Sequence, residues 1–321
     1  MSDFGNIYDA YETAIKLLDA KRYAHAAEYF WWAELFFNHG EFPMYSSEIQ
    51  KMAIDAHRRR QKIERNMETF SLSKTSYVNG CQCPKYLWLY YNKRKALIIT
   101  PETQSKFDRG HKVGSLAQRL FPDGNSAEFS PSFSCEILQQ KTPFEVPKIP
   151  YKITFNIWLD NTRNMLATNG NKSIFEAAFV FDKCFAAIDI LEEKNGEYIA
   201  YEVKSISEAT DVVMADCAYQ YYVISHHVKL SGFNLVLLNP EIKDIMLNDD
   251  VDVHKLFVIK PILNDILDMQ TTTARKIGDL KNVLKTRKCP SMVCGEQCDN
   301  PYECGFKDYC SGNYLFDNDF F

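Results

Sequence analysis

The chain of 321 residues has no run of about eighteen apolar residues, so no segment reads as a helix that spans a bilayer. Its opening, Met1-Ser2-Asp3-Phe4, lacks the basic-then-apolar order of a secretory signal, and a cytoplasmic location is expected. Positive charge is not in excess either. The formal net charge is −5, which argues against the sequence-wide attraction to phosphate backbones that clustered Lys and Arg produce. Closely spaced Cys-x2-Cys pairs, the usual mark of structural zinc, are absent although the chain has ten cysteines.

What is present suits a core-forming protein. With 46% apolar and 25% charged residues, a chain of this length buries one substantial core and a smaller second unit. In a reducing compartment its cysteines are free or metal-bound, and their clustering toward the C-terminus favours metal. Cys135, Cys184 and Cys217 stand alone in mixed or apolar surroundings and read as small buried hydrophobes. Between residues 85 and 119 basic residues outnumber acidic ones, with Lys85, Arg94, Arg109 and Lys112 as candidates for binding nucleic acid. The same pattern also fits a solvated helical face, and both readings stand at this point.

Residues 7–65 carry Ala, Leu, Glu and aromatics at three- and four-residue spacing, which predicts helices throughout. Tyr11, Ala14, Ile15 and Leu18 form one apolar stripe; Tyr23, Ala26, Ala27, Phe30, Ala33 and Leu35 form another. The stretch 18–36 resembles a tetratricopeptide-type helical hairpin, with a third helix over 46–65 beside it, and a single such hairpin is expected to dock on the rest of the protein or on a protein partner. His57-Arg58-Arg59-Arg60 reads as positive charge favoured near a helix C-terminus. A boundary is expected near 67, giving a helical region 1–66, a main domain 67–310 and a tail 311–321. Pro84 at a first helical position predicts a helix over 84–92, which puts Cys83 at its N-terminus. A helix over 104–120 follows, then an irregular insert over 125–172 with one helix near 158–167. Strands are expected over 173–181, 184–192 and 197–204, the last two joined by the hairpin signal Asn195-Gly196. A helix over 211–229, a strand over 234–238 and a long helix over 260–285 complete an α/β (α+β) mixed sheet flanked by helices.

Chemistry concentrates in Ile188-Asp189-Ile190-Leu191 and Tyr201-Glu202-Val203-Lys204. Two carboxylates on adjacent strands make a hard-oxygen site suited to Mg2+ or Mn2+, and Lys204, two residues along from Glu202, shares its face. Asp189, Glu202-Val203-Lys204 and then Gln220 on the next helix resemble the PD-(D/E)XK nuclease superfamily in its RecB-like branch. One cysteine before these motifs and three after them resemble the iron-sulfur members, which include AddB and the CRISPR-adaptation exonucleases. The likeness extends to a group of uncharacterised bacterial RecB-like proteins. It runs through Leu72-Ser73-Lys74-x-x-Tyr77, Gln82-Cys83-Pro84-Lys85, Gly110-x-x-Val113-Gly114, Phe121-Pro122-Asp123-Gly124, Ile174-Phe175-Glu176-Ala177 and Pro301-Tyr302-x-Cys304-x-Phe306-Lys307-Asp308-Tyr309-Cys310.

The resemblance implies a restriction-endonuclease-like fold and a Mg2+- or Mn2+-dependent deoxyribonuclease, exonuclease rather than endonuclease, with DNA as partner. Asp189 and Glu202 would be metal ligands, with Glu176 a further acidic group facing the site. Lys204 would be the catalytic lysine, and Gln220 would orient Lys204 or contact DNA. Gly114 stands where many relatives carry a metal-binding histidine, and His111 faces another side of that helix. Four cysteines alone leave zinc and iron-sulfur open. The resemblance selects a structural 4Fe-4S cluster on Cys83, Cys298, Cys304 and Cys310, with Cys81, Cys289 and Cys294 as competing ligands. The alternative is a nuclease-fold module of little or no activity that binds nucleic acid or a protein partner and is zinc-stabilised.

Overall fold

The computed structural model describes residues 7–39, 47–129, 148–168, 172–242 and 250–312. Packing divides the chain into two units, Met1–Thr69 with Ala127–Thr168, and Phe70–Ser126 with Asn169–Phe321. Boundaries are expected near 67 and after 310; the division by packing falls at Thr69 and groups Ala127–Thr168 with the N-terminal helices. Among the described residues no helix is long and apolar enough to cross a membrane.

In the first unit, small residues let helices approach closely. Ala10 and Ala14 of α1 (Ile7–Asp19), Ala26, Phe30 and Ala33 of α2 (Tyr23–His39), and Ala53 and Ala56 of α3 (Ser47–Arg65) form one buried cluster. Tyr23, expected in the apolar stripe, is exposed. Ala24 and Ala27 meet Ile153 and Ile157 of α7 (Tyr151–Ala167), a helix that starts seven residues ahead of the expected one, with Pro150 at its N-cap. The basic run lies inside α3, away from its end, and finds acids there. Arg60 bonds Glu34 and Glu64 at 2.6 Å each, and Arg59 bonds Asp55 at 2.5 Å.

The second unit is an open seven-stranded mixed sheet with helices on it. Its antiparallel centre is β3 (Ser173–Phe181), β4 (Cys184–Lys194) and β5 (Glu197–Lys204). Asn195 and Gly196 both take positive φ, 54° and 79°, the twist a tight hairpin between β4 and β5 requires. After β5 comes α8 (Asp211–Ile224), which crosses to the parallel strand β6 (Leu230–Leu238), and β6 pairs with β7 (Phe257–Pro261) at the edge. The long helix expected over 260–285 begins as this strand, and the remainder divides into α10 (Leu263–Asp268) and α11 (Gln270–Lys285) after the short α9 (Val253–Leu256). Helical periodicity there concealed a strand that takes Lys260 and Pro261 at an open edge, where proline costs no ladder bond. Helix α8 ends at Ile224, five residues short of expectation, since β6 starts at Leu230.

Besides β7, two short strands were not foreseen. β1 (Leu72–Ser73) pairs in parallel with Cys184–Phe185 of β4, and β2 (Asn125–Ser126) with β3. Ser73 then caps α4 (Lys74–Gln82) through a reciprocal bond with Ser76. Cys83 separates α4 from α5 (Pro84–Asn92), and α6 (Pro101–Gln118) packs Val113, Leu116 and Ala117 on Tyr201 and Val203. Gly80 lets α4 lie against α11: a Cβ there would meet Leu280 at 2.9 Å and Leu87 at 3.2 Å. Gly80→Val is expected to lower stability by about 1–3 kcal/mol through overpacking, read as a lower denaturant midpoint at unchanged slope.

Candidate functional site

One edge of β4 pairs with β3 from Cys184 to Glu192, while the other edge is shared. β1 takes Cys184–Phe185 there and β5 takes Ile190–Lys194. Asp189 lies in the stretch between them, next to the last β4–β5 pair, Ile190–Tyr201. Extending that register puts Glu202 directly across from Asp189, on the same face. The ladder ends here, and Asp189 Oδ2 accepts the N–H of Val203 at 2.6 Å. Tyr201 and Val203 pack with α6 on one face, so Glu202 and Lys204 point to the other, beneath α8.

On that face Glu202 is 1% exposed. Its Oε1 accepts from Lys204 at 2.5 Å and from Lys74, the first residue of α4, at 2.9 Å. Lys204 also donates to Asp216 Oδ2 on α8 at 2.7 Å. Thus Asp216, one helical turn before Gln220, is bonded to Lys204, while the resemblance assigned Gln220 either to orient Lys204 or to contact DNA. Gln220 is fully buried in the same region. Its two amide atoms, Glu202 Oε2 and Asp216 Oδ1 have no hydrogen-bond partner among the described residues. Glu176 stands opposite Asp189 on β3, half-buried, at an interruption of the ladder with φ of +53°. Left-handed backbone at a glutamate inside a strand is uncommon and collects at functional positions. Lys74 and Asp216 went unassigned in the sequence. Asp216 could have been found from its four-residue spacing to Gln220, and Lys74 from its place in Leu72-Ser73-Lys74.

The charges explain each other. Burial opposes ionisation of Glu202, but Lys204 and Lys74 outweigh it and hold the carboxyl near 2. Burial, with Glu202 opposite, pushes Asp189 up to about 7. Lys204 and Lys74 are both raised against their burial, Lys204 first by Asp216 and Lys74 first by Glu202.

The second assembly is a cleft lined by Cys83, Cys294, Cys298, Cys304 and Cys310 with Lys85, Tyr86 and Phe306. It is built by contacts between the α4–α5 turn and the C-terminal segment. Gln82 donates to the carbonyls of Gln297 at 2.8 Å and Tyr302 at 2.6 Å, Trp88 donates to Thr286 at 3.1 Å, and Tyr86 meets Phe306 edge-on at 5.0 Å. A 3-10 turn (Glu296–Cys298) and α12 (Lys307–Ser311) present Cys298 and Cys310, and the Cys304 N–H donates to Cys298 O at 2.8 Å. Burial pushes the Cys304 thiol up to about 11. Cys81 faces Tyr77 and Lys276 instead, and Cys289 lies at the margin near Cys83 and Lys85. Cys184 and Cys217 are fully buried, and Cys135 falls outside the described residues.

The basic candidates separate. Lys85 donates to Met292 O at 3.3 Å and hydrogen-bonds Cys310 at the cleft. Arg94 lies 3.9 Å over the Tyr90 ring, a cation–π contact. Arg109 is exposed on α6 and Lys112 half-buried. A Cβ at Gly114 would meet nothing within 4 Å, so packing does not dictate glycine there.

Compared with known proteins, the chain matches no family model and no curated protein. Among the described residues no three His, Cys, Asp or Glu side chains are drawn together as a metal-holding set. Donor chemistry and unpartnered atoms still fit an ion: Glu202 Oε2 and Asp216 Oδ1 are buried hard oxygens without a proton donor.

A pH dependence follows. The folded-state pKa of Asp189 lies above the ordinary carboxylate value, so the stability it contributes is present in acid and is lost as pH rises through about 7. Glu202, held near 2, contributes a constant amount across that window. In chelator, the melting temperature should fall between pH 6 and pH 8, and Asp189→Asn should flatten the fall. Equal slopes in the two proteins would contradict a buried, proton-retaining Asp189.

Proposed function

We propose that the chain is a Mg2+- or Mn2+-dependent nuclease that hydrolyses phosphodiester bonds of DNA, a RecB-like member of the PD-(D/E)XK superfamily. The observation that carries this reading is the pairing of Asp189 with Glu202 on adjacent strands, Lys204 on the same face, at a break between two strand edges. Asp189 and Glu202 would hold the ion, with Asp216 and Glu176 as further acids nearby. A bound divalent ion supplies Lewis-acid polarisation of a phosphoryl oxygen and a water of lowered pKa. Lys204, steadied by Asp216, opposes the negative charge that develops on the phosphoryl group. Gln220, buried with both amide atoms free, can hydrogen-bond either the ligand shell or the substrate. DNA as substrate and exonuclease action rest on the family resemblance, and a protein partner for the helical unit rests on its tetratricopeptide-like hairpin.

The cysteine cleft suits a 4Fe-4S cluster on Cys83, Cys298, Cys304 and Cys310, since all four line one cavity with thiol donors. In this reading it ties the α4–α5 turn to the C-terminal segment. Cys294 lines the same cavity and is the reserve ligand. Protein purified without oxygen should be brown, with about four iron atoms per chain, and Cys304→Ser should lose both colour and stability. A colourless protein that holds zinc excludes the cluster.

A second reading, a nuclease-fold module without activity, is favoured by one feature: a single oxygen of Glu202 already accepts from two ammonium groups. Cleavage of single- and double-stranded DNA in Mn2+ or Mg2+ separates the two. Asp189→Ala, Glu202→Ala and Lys204→Ala should each slow it by about a hundredfold or more while the fold is kept. Full activity in all three variants rules the site out.

A further inference from the structure

Lys74 is a lysine in a place that local electrostatics disfavour. It is the first residue of α4, where the helix dipole presents its positive end and an acidic residue is the stabilising choice. Its backbone is fixed from both sides. Ser73 caps the helix, and the Tyr219 hydroxyl donates to Leu72 O at 2.7 Å and to Phe185 O at 3.2 Å, locking β1 onto β4. The side chain then reaches across the gap between β1 and β5 to Glu202 Oε1. The two lysines on this oxygen differ in their alternatives. Lys204 has Asp216 as a second anchor, whereas Glu202 is the one hydrogen-bond partner of Lys74 among the described residues. The Lys74 side chain is 28% exposed and that of Lys204 22%, so the difference between the two lies in Asp216.

Resting on the nuclease reading, we infer that Lys74 is a positioning residue that gates the ion. Its ammonium holds the Glu202 carboxylate in the ion-free protein and has to release it when a divalent cation binds. Two like charges cannot share one carboxylate without cost, and Lys204 keeps its place through Asp216, so Lys74 is the group that gives way. The released ammonium then faces the solvent side of the site as a partner for phosphate.

The test is Mn2+ binding measured by calorimetry at pH 8, without substrate, on the wild type, Lys74→Gln, Lys74→Met and Lys74→Arg, with thermal melts of each as the folding control. Glutamine can still donate to Glu202, so Lys74→Gln keeps the buried carboxylate partnered if Lys74→Met fails to fold. Both neutral variants should bind Mn2+ about tenfold more tightly or better, because a competing charge a few ångströms away is gone, and Lys74→Arg should bind as the wild type does. A merely structural lysine predicts the opposite sign. Equal or weaker binding by folded Lys74→Gln overturns the gate while leaving the ion site intact. Absence of Mn2+ binding in the wild type and every variant overturns the nuclease reading and the gate together. Binding in Lys74→Gln with none in the wild type supports the gate.

Discussion

A carboxylate almost sealed from water, Glu202, sets the terms for the surrounding structure. Burying an ionised carboxyl costs several kcal/mol unless charge and hydrogen bonds compensate it, and here both come from lysines on different elements. Lys204 arrives by strand alternation, two residues on. Lys74 arrives only because β1 pairs with the start of β4, stops after two residues and turns into a helix. Asp216 is needed in turn, since a second buried ammonium group requires its own acid. The broken strand edge is therefore a requirement of the charge cluster. A continuous β1 or a longer β4–β5 ladder would close the gap through which Lys74 reaches Glu202.

Asp189 differs from Glu202 although the two face each other. Neither lysine is hydrogen-bonded to it among the described residues, its one bond comes from a backbone amide, and its pKa stands near 7. Glu202 is permanently charged at neutral pH; Asp189 is poised. Two carboxyls pushed apart in this way occur where a site exchanges protons or ions, and structural ion-pair networks also produce them. The unpartnered oxygens of Glu202 and Asp216 and the free amide of Gln220 distinguish the cases. A closed network satisfies its members, and this one leaves four buried polar atoms without a partner among the described residues.

The central hairpin was legible because Asn195-Gly196 encodes its own turn and the flanking residues alternate. Helix α5 was legible because Pro84 can occupy only a first turn. Asp189, Glu202 and Lys204 could be read for the same local reason: strand periodicity sets their faces, and the structure places them on one. Lys74 and Asp216 left weaker traces, a place in Leu72-Ser73-Lys74 and a four-residue spacing to Gln220, and neither points to Glu202 until the fold brings them together. The long helix expected over 260–285 failed because Lys260 and Pro261 are decided by pairing with β6 and because the helix breaks at Met269, which are tertiary effects. The residues 127–168 joined the N-terminal helices because Ile153 and Ile157 pair with alanines more than a hundred residues away, which no local pattern announces.

Helix α4 connects the two assemblies. Its first residue, Lys74, reaches the carboxylates, and the residue after its last, Cys83, lines the cysteine cleft. Nine helical residues span about 13 Å, too short and too regular to absorb a shift at one end without moving the other. Gly80 presses the helix onto Leu280 of α11, so it cannot slide sideways either. Whatever holds Cys83 to the C-terminal segment therefore also sets how far Lys74 extends toward Glu202. Apart from the thiols, that task falls to Gln82, Trp88 and Tyr86, whose bonds to Gln297, Tyr302 and Thr286 and ring contact with Phe306 are individually weak and partly exposed. Thiolate bonds to a shared cluster, were one bound, would be stronger and would fix four points at once. On the proposed reading, the sulfur cleft is more than a staple: it determines the position of the lysine that governs access to the acidic pair.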